Sequence, residues 1–547
     1  MSHPIDFLAE MQGDTMYFHQ AMAHDDSGDF VDAVVKEVNG HVDNTHWELI
    51  PIADVPEDTD VLPSVWSMRR KRNLVTNEIT KYKARLNVHG GKQTFGVNYF
   101  DTYAPVVTWF AIRLLIICAI VLHWQLRQVD FIMAYAQAPI ECDMYLQLPD
   151  GIETETGNSK THVLKLLRNV YGQKQAGKVW ADFLSENLFK IGFERSKIDE
   201  CVFYRGSLVF LVYVDDGIFV SLDGSSIDSV IKELMDTNLK LEDQGHPADY
   251  VGVNIKKLED ESYEFTQPAL TQQIIKDVGL DPKSATKPIP MCAQRLLHHH
   301  LDSPPHDESK FKYRSVIGKL NYLAQCTRPD IVYAVHQCAR FSSNPRREHT
   351  EAVVYICRYL KGTPELGLHF KPDVTKSFEC YADADYCGNW SKSFADTDPS
   401  TAKSRSGWIV MYAGCPVCWA SKLQTHVATS TTMAEYIALS SALRDVIPIM
   451  ELMDELKDRG YELISTEPKV YCKAFEDNSG ALEIARLPKM RPRTKAINVI
   501  YHHFREYVRL GLISIYPIST DDQVADIFTK PLTQNPFVRH RVKICGS

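Results

Sequence analysis

Apolar residues fill positions 208–221 almost without a break, and the polar exceptions are grouped at Asp215, Asp216 and Gly217. β-Branched and aromatic residues favour strands, and Asp-Gly favours a tight turn. The segment therefore predicts a β-hairpin with Asp215, Asp216 and Gly217 at its tip. Two carboxylates beside an apolar core are costly unless a cation or hydrogen bonds compensate them. An ordinary Asp-Gly turn explains the segment equally well when it is read alone.

A second strand-like segment, at positions 128–135, carries the single acid Asp130 among apolar residues. Two strands that each place an Asp at one end of a sheet can form a site for two Mg²⁺ ions, as nucleotidyl transfer requires. Successive strand residues point to opposite faces. We therefore expect Asp130 and Asp215 to bind metal and Asp216 to support them.

Apolar spacing predicts the elements of the remaining chain. The longest apolar run, 111–122, is too short to span a bilayer and predicts a buried helix beneath the sheet that carries the three acids. From 313 to 363, apolar residues recur every three or four positions, which is typical of helices. The later pattern predicts a strand (376–383), a hairpin (407–412 with 416–421), a helix (432–456), a strand (469–475) and a short helix (522–529).

Four further acids stand at the ends of these later elements, namely Asp383, Glu435, Asp477 and Asp526. Their arrangement resembles ribonuclease H, and the resemblance implies that the four carboxylates hold two metal ions that activate water for cleavage of the RNA strand of a hybrid. Structural roles are the alternative, because Glu435 could complete a capping box with Thr432 and Asp477 could cap the helix after it. Asp385 competes with Asp383, and we favour Asp383 because it directly follows the predicted strand.

Length and composition indicate an intracellular protein of several domains. A chain of 547 residues is too long for one core and predicts about two to four domains. The 13 cysteines show no paired spacing, and no secretory signal pattern opens the sequence. We therefore expect free thiols in a reducing, intracellular setting. The expected location is a cytoplasmic particle, the nucleus, or both.

The net charge of −10 argues at first against a nucleic-acid partner, but the charges are unevenly placed. Residues 1–64 hold fourteen acids and one Lys, which leaves the remaining chain at +3. Positions 69–92 carry eight Lys or Arg against one Glu, and positions 486–509 carry seven against one. Basic patches bind phosphate backbones, so both segments are candidates, with a solvated charged face as the alternative.

The order of short motifs carries a family resemblance. Tyr213-Val-Asp-Asp216 resembles the catalytic motif of reverse transcriptases, and the chain from about residue 47 to about residue 543 resembles the copia-type LTR retrotransposon Pol polyprotein in its reverse transcriptase and ribonuclease H region. The matching segments are Tyr82–Leu86, Tyr103–Val107, Val170–Ala176, Tyr313–Gly318, Thr327–Ile331, Arg358–Thr363, Tyr381–Asp385, Ser404–Gly407, Asp477–Ala481 and Gln523–Leu532.

This resemblance implies an α+β fold: a right-hand polymerase of fingers, palm and thumb with an antiparallel palm sheet, a helical connection, and a ribonuclease H-like domain with a mixed sheet. The implied regions are an acidic N-terminal linker or tail with one helix near 29–39 (1–44), the reverse transcriptase (45–285), the connection (286–375), and the ribonuclease H-like domain with a C-terminal tail (376–547). The implied function is RNA- and DNA-directed DNA synthesis with cleavage of RNA in RNA–DNA hybrids. A decayed or co-opted copy that binds nucleic acid without catalysis is the alternative.

Around the first acids, the resemblance assigns contacts to the incoming nucleotide. Lys83 and Arg85 would grip the triphosphate, and an Arg suits bidentate phosphate contacts. Tyr135 would lie under the sugar and exclude a 2′-hydroxyl. Tyr171 and Gly172, with Gln175 nearby, would support the templating base.

The resemblance also implies cofactors and partners. Two Mg²⁺ ions per active site, with Mn²⁺ as a possible substitute, would be held by Asp130, Asp215, Asp383, Glu435, Asp477 and Asp526. Phosphates of the hybrid would be neutralised by Lys489, Arg491, Arg493 and Lys495. The implied partners are an RNA template, RNA–DNA hybrid, DNA, deoxynucleoside triphosphates and a tRNA primer, without a membrane; the oligomeric state stays open.

Overall fold

The computed structural model describes residues 14–546 except 74, 77, 153–157, 293–296, 300–301, 395, 397, 465, 467–468 and 487–498. The chain divides into two compact units. The first unit contains the described residues through Val107 together with Gln125–Pro247, and the second contains Thr108–Trp124 together with the described residues from Ala248 onward. The domain boundaries at 44, 285 and 375 stay predictions.

The described helices are α1 (Phe18–Ala21), α2 (Ser27–Asp43), α3 (Trp109–Val121), α4 (Ala134–Gln137), α5 (Ala176–Lys190), α6 (Gly224–Asp236), α7 (Pro268–Asp277), α8 (Tyr313–Cys326), α9 (Val332–Ala339), α10 (Arg347–Gly362), α11 (Thr431–Asp458), α12 (Ser479–Arg486), α13 (Arg505–Arg509), α14 (Asp526–Thr529) and α15 (Gln534–Cys545). The described strands are β1 (Thr15–Met16), β2 (Trp47–Pro51), β3 (Val61–Leu62), β4 (Ser64–Arg72), β5 (Ile79–Val88), β6 (Gln125–Phe131), β7 (Tyr145–Gln147), β8 (His162–Leu166), β9 (Glu194–Arg195), β10 (Val202–Arg205), β11 (Leu208–Tyr213), β12 (Asp216–Ser221), β13 (Leu241–Gly245), β14 (Asp249–Tyr250), β15 (Val253–Lys257), β16 (Tyr263–Thr266), β17 (Leu368–Phe370), β18 (Phe378–Asp385), β19 (Arg405–Tyr412), β20 (Cys415–Leu423), β21 (Cys472–Glu476) and β22 (Ile513–Pro517).

The first unit is built on a six-stranded sheet with the order β13-β6-β12-β11-β10-β9. All of its pairings are antiparallel, and β11 and β12 form the predicted hairpin. Helices α5 and α6 contribute Trp180 and Leu234 to a core that also contains Phe210 and Phe219. Two smaller sheets, β1-β4-β5 and β2-β8-β7-β3, complete this unit. The predicted α+β class with an antiparallel sheet is confirmed.

The tip of the β11–β12 hairpin differs from the prediction by one residue. Tyr213 is paired with Asp216, so the two turn residues are Val214 and Asp215. Val214 has a φ of 58°, which is costly for a β-branched residue. Gly217 lies inside β12, where an added Cβ would come within 2.6 Å of the Phe210 ring. The sequence prediction failed because it assigned Gly217 to a turn, whereas packing requires a glycine there.

The acidic N-terminal segment is part of the first unit from residue 14 onward. Strand β1 pairs with β4, and α2 packs on β5. Phe30 and Val34 of α2 are buried in one core with Trp66. The helix predicted near 29–39 is confirmed as α2, but residues 14–44 do not form a loose tail, since they supply core side chains.

The apolar run at 111–122 forms the predicted buried helix, α3, but its packing partners differ from the prediction. It packs on β20 and α11 of the second unit. Arg113 anchors it, donating to the carbonyl oxygens of Val417 (3.0 Å) and Cys326 (3.1 Å) and lying 4.0 Å above the Trp419 ring. A helix that is apolar on all sides does not indicate which sheet will cover it. Among the described helices, none is long and apolar enough to cross a membrane.

The second unit contains a five-stranded sheet with the order β20-β19-β18-β21-β22. Strands β18, β19 and β20 are antiparallel, whereas β18–β21 and β21–β22 are parallel. The predicted mixed sheet is thus confirmed, with β22 as a strand that the sequence analysis missed. The helices predicted between 313 and 363 are present as α8, α9 and α10, and a four-stranded sheet, β14-β15-β16-β17, accompanies them.

A buried ion pair stabilises this helical part of the second unit. Arg328 and Asp330 have fully buried side chains and form two hydrogen bonds of 2.9 Å, and the Tyr359 hydroxyl donates to Asp330. Asp330→Asn is expected to lower the free energy of unfolding by about 3–5 kcal/mol, because it leaves a buried guanidinium without its counter-charge. Urea unfolding followed by circular dichroism measures the change. Asp373→Asn, at an exposed acid of the same unit, is the control, and an equal response of both variants would contradict the prediction.

Candidate active sites

The first unit contains a cleft of about 880 Å³ with a basic wall and an acidic end. Alternate residues of β4 and β5 face it, in keeping with the two-residue period of a strand. They are Ser67, Arg69 and Lys71 from β4, and Lys83, Arg85 and Asn87 from β5. Asp215, Tyr135, Tyr171, Gly172 and Lys174 also line the cleft. Arg69 and Lys71 were not singled out from the sequence, although strand alternation would have indicated them.

The three acids of the first site meet at one end of the six-stranded sheet. Asp130 and Asp216 are directly opposite one another on β6 and β12. The Phe131 amide donates to the Asp215 carbonyl oxygen at 2.8 Å, and the Trp180 indole donates to the carbonyl oxygen of Val214 at 2.7 Å. Backbone contacts therefore fix the turn that presents the Asp215 side chain.

The electrostatics of this end fit a bound cation. Burial raises the pKa of Asp130, the charge of Asp215 raises it further, and Lys83 lowers it. A divalent ion beside Asp130 would relieve this repulsion between like charges. The donors are carboxylate oxygens, which Mg²⁺ prefers. Asp130 and Asp215 are thus suited to hold the metal.

Two predicted cations lie beside these acids. The Arg85 guanidinium is 3.9 Å from an Asp215 carboxylate oxygen and 4.3 Å from the Tyr171 ring centre. Burial, together with the charges of Arg85 and Lys71, lowers the pKa of Lys83 to about 8. Crowded cations in a cleft create a strongly positive wall that favours a polyanion.

The basic segment 69–92 does not act as one patch, because alternate residues of β4 face opposite ways. Arg70 donates to Asp26 at 2.6 and 2.7 Å, and Arg72 donates to Asp14 at 2.6 and 2.9 Å. The hydrogen bonds from Arg70 hold the pKa of Asp26 below its ordinary value. Asp26 and Asp14 therefore neutralise the face of the β4–β5 pair that points away from the cleft. The face that lines the cleft stays positive.

Of the residues predicted to contact the nucleotide or the templating base, Tyr135, Tyr171 and Gly172 line the cleft, whereas Gln175 does not. The rings of Tyr135 and Tyr171 lie 4.9 Å apart at the cleft, and burial raises the pKa of Tyr135 to about 12. Gly172 has a φ of 86°, and an added Cβ would be 2.2 Å from the Val88 carbonyl oxygen. Gln175 lies apart from the cleft lining: it is buried, with its amide bonded to Gln93 (3.0 Å) and Asn98 (3.2 Å). Gln175 supports a loop, which its sequence position next to Tyr171 could not reveal.

The second acidic site lies on the mixed sheet of the second unit. Carboxylate oxygens of Asp383, Glu435 and Asp477 all lie within 4.8 Å of one another. Asp383 is on β18, Glu435 on α11, and Asp477 directly after β21. Glu435 accepts a hydrogen bond of 2.7 Å from the Ala384 amide. We call Asp383, Glu435, Asp477 and Asp526 the nuclease pocket, after the resemblance.

Burial and mutual repulsion dominate the electrostatics of this pocket. Burial raises the pKa of Glu435, and the charges of Asp383 and Asp477 raise it further. Burial also raises the pKa of Asp383 and of Asp526. A cluster of buried carboxylates with raised pKa values fits a divalent ion, which would supply the missing positive charge.

The helix-capping roles that the sequence allowed for Glu435 and Asp477 do not agree with the structure. Helix α11 begins at Thr431 with Ser430 as its N-cap, so Glu435 lies too far along the helix for a capping box. The Ala481 amide bonds the side chain of Asn478 at 2.9 Å, which makes Asn478 the residue that caps α12. Asp383 lies within β18 and not after it, and its carboxylate joins the pocket.

A fifth acid, Glu476, went unnoticed in the sequence because Asp477 follows it directly. Glu476 is fully buried on β21, and burial raises its pKa. One of its oxygens accepts from the Asn478 amide at 3.0 Å. The predicted hybrid-binding residues Lys489, Arg491, Arg493 and Lys495 lie outside the described residues.

Comparisons with known proteins show what the chain is similar to. The family described as reverse transcriptase (RNA-dependent DNA polymerase) matches residues 44–293. The chain is 31% identical over 519 residues to the retrovirus-related Pol polyprotein from transposon RE1 of Arabidopsis thaliana, covering 94% of this chain and 33% of that protein. It is 29% identical over 532 residues to the Pol polyprotein from transposon TNT 1-94 of Nicotiana tabacum, covering 95% and 38%.

The chain thus spans about a third of the length of these relatives. Among solved structures, a foamy viral protease–reverse transcriptase in complex with double-stranded DNA aligns with a TM-score of 0.47 and 12% identity, over 89% of this chain and 69% of that chain.

Proposed function

The chain belongs to the copia-type retrotransposon Pol family, and on that premise we propose that it copies RNA and DNA templates into DNA and cleaves the RNA strand of RNA–DNA hybrids. The observation that carries the proposal is that Asp215 lines a basic cleft, directly before Asp216, which pairs with Asp130 on the neighbouring strand. Such a cleft suits a triphosphate and a nucleic-acid backbone.

In the first unit, Asp130 and Asp215 would hold divalent ions, and Asp216, the cross-strand neighbour of Asp130, would support them. Bound ions would activate the 3′-hydroxyl and neutralise the leaving pyrophosphate. Arg85 and Lys83 would bind the triphosphate, since both lie on the cleft wall. Tyr171 and Gly172 would position the templating base against a backbone that only a glycine lets approach.

In the second unit, the nuclease pocket would hold the ions that serve hydrolysis of the RNA strand. Those ions would activate the attacking water. Asp383 and Glu435, both buried, would keep the ions fixed, while the more exposed Asp477 would face the substrate. The hybrid, and a tRNA primer for the start of synthesis, are the partners that the family relationship favours.

Primer extension on poly(rA)/oligo(dT) by the full chain in Mg²⁺ tests the proposed synthesis. Extension that stops on addition of a chelator is the expected result. Binding of the primer–template without any extension would favour the second candidate, a decayed copy that only binds nucleic acid. The intact set of carboxylates in both sites favours the enzyme over that candidate.

Tyr135→Val is expected to lower the preference for deoxynucleotides over ribonucleotides by about tenfold or more, because it removes the ring that would collide with a 2′-hydroxyl. Gly177 contributes no side chain here, and an added Cβ there would lie 4.0 Å from the Tyr135 hydroxyl. The ratio of kcat/KM values for the two nucleotide types measures the preference. Tyr99→Val, at another residue of the same cleft, is the control. Equal ratios for parent and Tyr135→Val would refute the sugar contact.

A further inference from the structure

Lys530 brings a positive charge into the nuclease pocket. Its Nζ lies 2.8 Å from an Asp526 carboxylate oxygen. The Asp526 side chain is 8% exposed, whereas that of Lys530 is 35% exposed. The charges of Asp383 and Asp385 also act on the Lys530 ammonium. Lys530 therefore contacts the nuclease pocket from the side of the pocket that faces solvent.

The pocket is divided into two parts. Asp383, Glu435 and Asp477 form the compact triad, with oxygens within 4.8 Å of one another. Asp526 stands beside this triad as the first residue of α14, and Lys530 directly follows that helix as its C-cap. The ion pair thus joins two residues four positions apart, one at each end of this short helix.

We propose that Lys530 occupies, in the metal-free chain, the place beside Asp383 and Asp526 that a second divalent ion takes. The second ion then binds only when Lys530 releases Asp526. This inference rests on the proposed ribonuclease H function and deepens it.

Electrostatic repulsion prevents the Lys530 ammonium and the second divalent ion from binding Asp526 at the same time. An ammonium and a divalent ion that share one carboxylate at contact distance repel each other strongly where water is largely excluded. Lysine can move away, because its charge sits on a flexible four-carbon stem and over a third of its side chain already meets solvent. The expected consequence is unequal metal affinity: tight binding at the triad and weaker binding beside Asp526.

Manganese binding by the full chain, followed by electron paramagnetic resonance without nucleic acid, tests this. The Asp215→Asn background removes a metal ligand from the first site. Lys530→Met is expected to tighten the weaker of the two manganese-binding steps about tenfold, because the ion no longer has to displace the ammonium from Asp526. Lys530→Arg keeps a positive charge beside Asp526. The weaker manganese-binding step should therefore keep the affinity that it has in the parent.

Lys543→Met is the matched control, because Lys543 faces Asp522 (3.9 Å) and not the pocket acids. Circular dichroism checks the fold, and Lys530→Gln replaces the Met variant if that variant unfolds. An unchanged second step in the Met or Gln variant, or two equal steps in the parent, would overturn the inference. If the parent cleaves hybrid normally, that failure concerns Lys530 alone; if the parent neither cleaves hybrid nor binds manganese in the pocket, the proposed nuclease function fails with it.

Discussion

Asp215→Asn is expected to reduce the rate of DNA synthesis by at least about a thousandfold, a loss typical of removing a charge that stabilises the transition state. The amide cannot replace a carboxylate as a metal ligand beside Asp130. The fold should persist, because the turn is held by the backbone bond to Phe131 and by the Trp180 indole. The ion pair with Arg85 is long and half-exposed, so its loss costs little stability.

Single-nucleotide extension at saturating nucleotide measures this effect. Cleavage of a labelled RNA–DNA hybrid by the same variant should remain close to that of the parent, because the nuclease pocket is built from other residues. Asp243→Asn provides a control acid on β13 of the same sheet, where the carboxylate pairs with Arg127 at 2.6 Å. Extension by Asp215→Asn at the rate of this control would show that Asp215 binds no essential metal.

Glu435→Gln is expected to stop hybrid cleavage by a similar factor while DNA synthesis continues. Gln has the shape of Glu and can still accept the hydrogen bond from the Ala384 amide, so the lost charge is the only large change. Hybrid cleavage in Mg²⁺ with a 5′-labelled RNA strand measures the effect. Full cleavage by the variant would show that Glu435 has a structural role alone.

The same variant separates a metal ligand from a stabilising residue. Burial raises the pKa of Glu435 above its ordinary value of 4.5, so the folded chain binds a proton there more tightly than the unfolded chain. Parent stability without metal should therefore fall as the pH rises above 4.5, where the unfolded chain loses that proton first. Glu435→Gln removes the part of this pH-dependent loss of stability that is due to Glu435. The variant should therefore be at least as stable as the parent at pH 7.

Strand alternation made much of the first site predictable. The apolar run 208–221 with its adjacent acids indicated a hairpin, and Asp130 indicated its partner strand. The exact turn was not predictable, because the close packing of Phe210 on Gly217 is a tertiary contact. The roles of Gln175 and of the N-terminal acids were missed for the same reason: their partners, such as Asn98 for Gln175 and Arg70 for Asp26, are distant in sequence.

The sequence pattern of a helix predicted its packing partners less well than the pattern of a strand did. The pattern at 111–122 fixed the existence and burial of α3 but not the sheet that it covers, since every face is apolar. In the second unit the four acids were singled out by their predicted places at the ends of elements, although Asp383 lies within β18. Lys530 was not singled out, because a lysine after a short helix is unremarkable until its contact with Asp526 is known.

One incubation tests the central claim that two separate carboxylate sites serve two reactions. A DNA primer on a labelled RNA template is mixed with the full chain, Mg²⁺ and deoxynucleotides, and extension and RNA cleavage are read from the same gel. The parent should give both products, Asp215→Asn cleavage alone, and Glu435→Gln extension alone. Loss of both products in either variant, or neither product from the parent, would contradict the account.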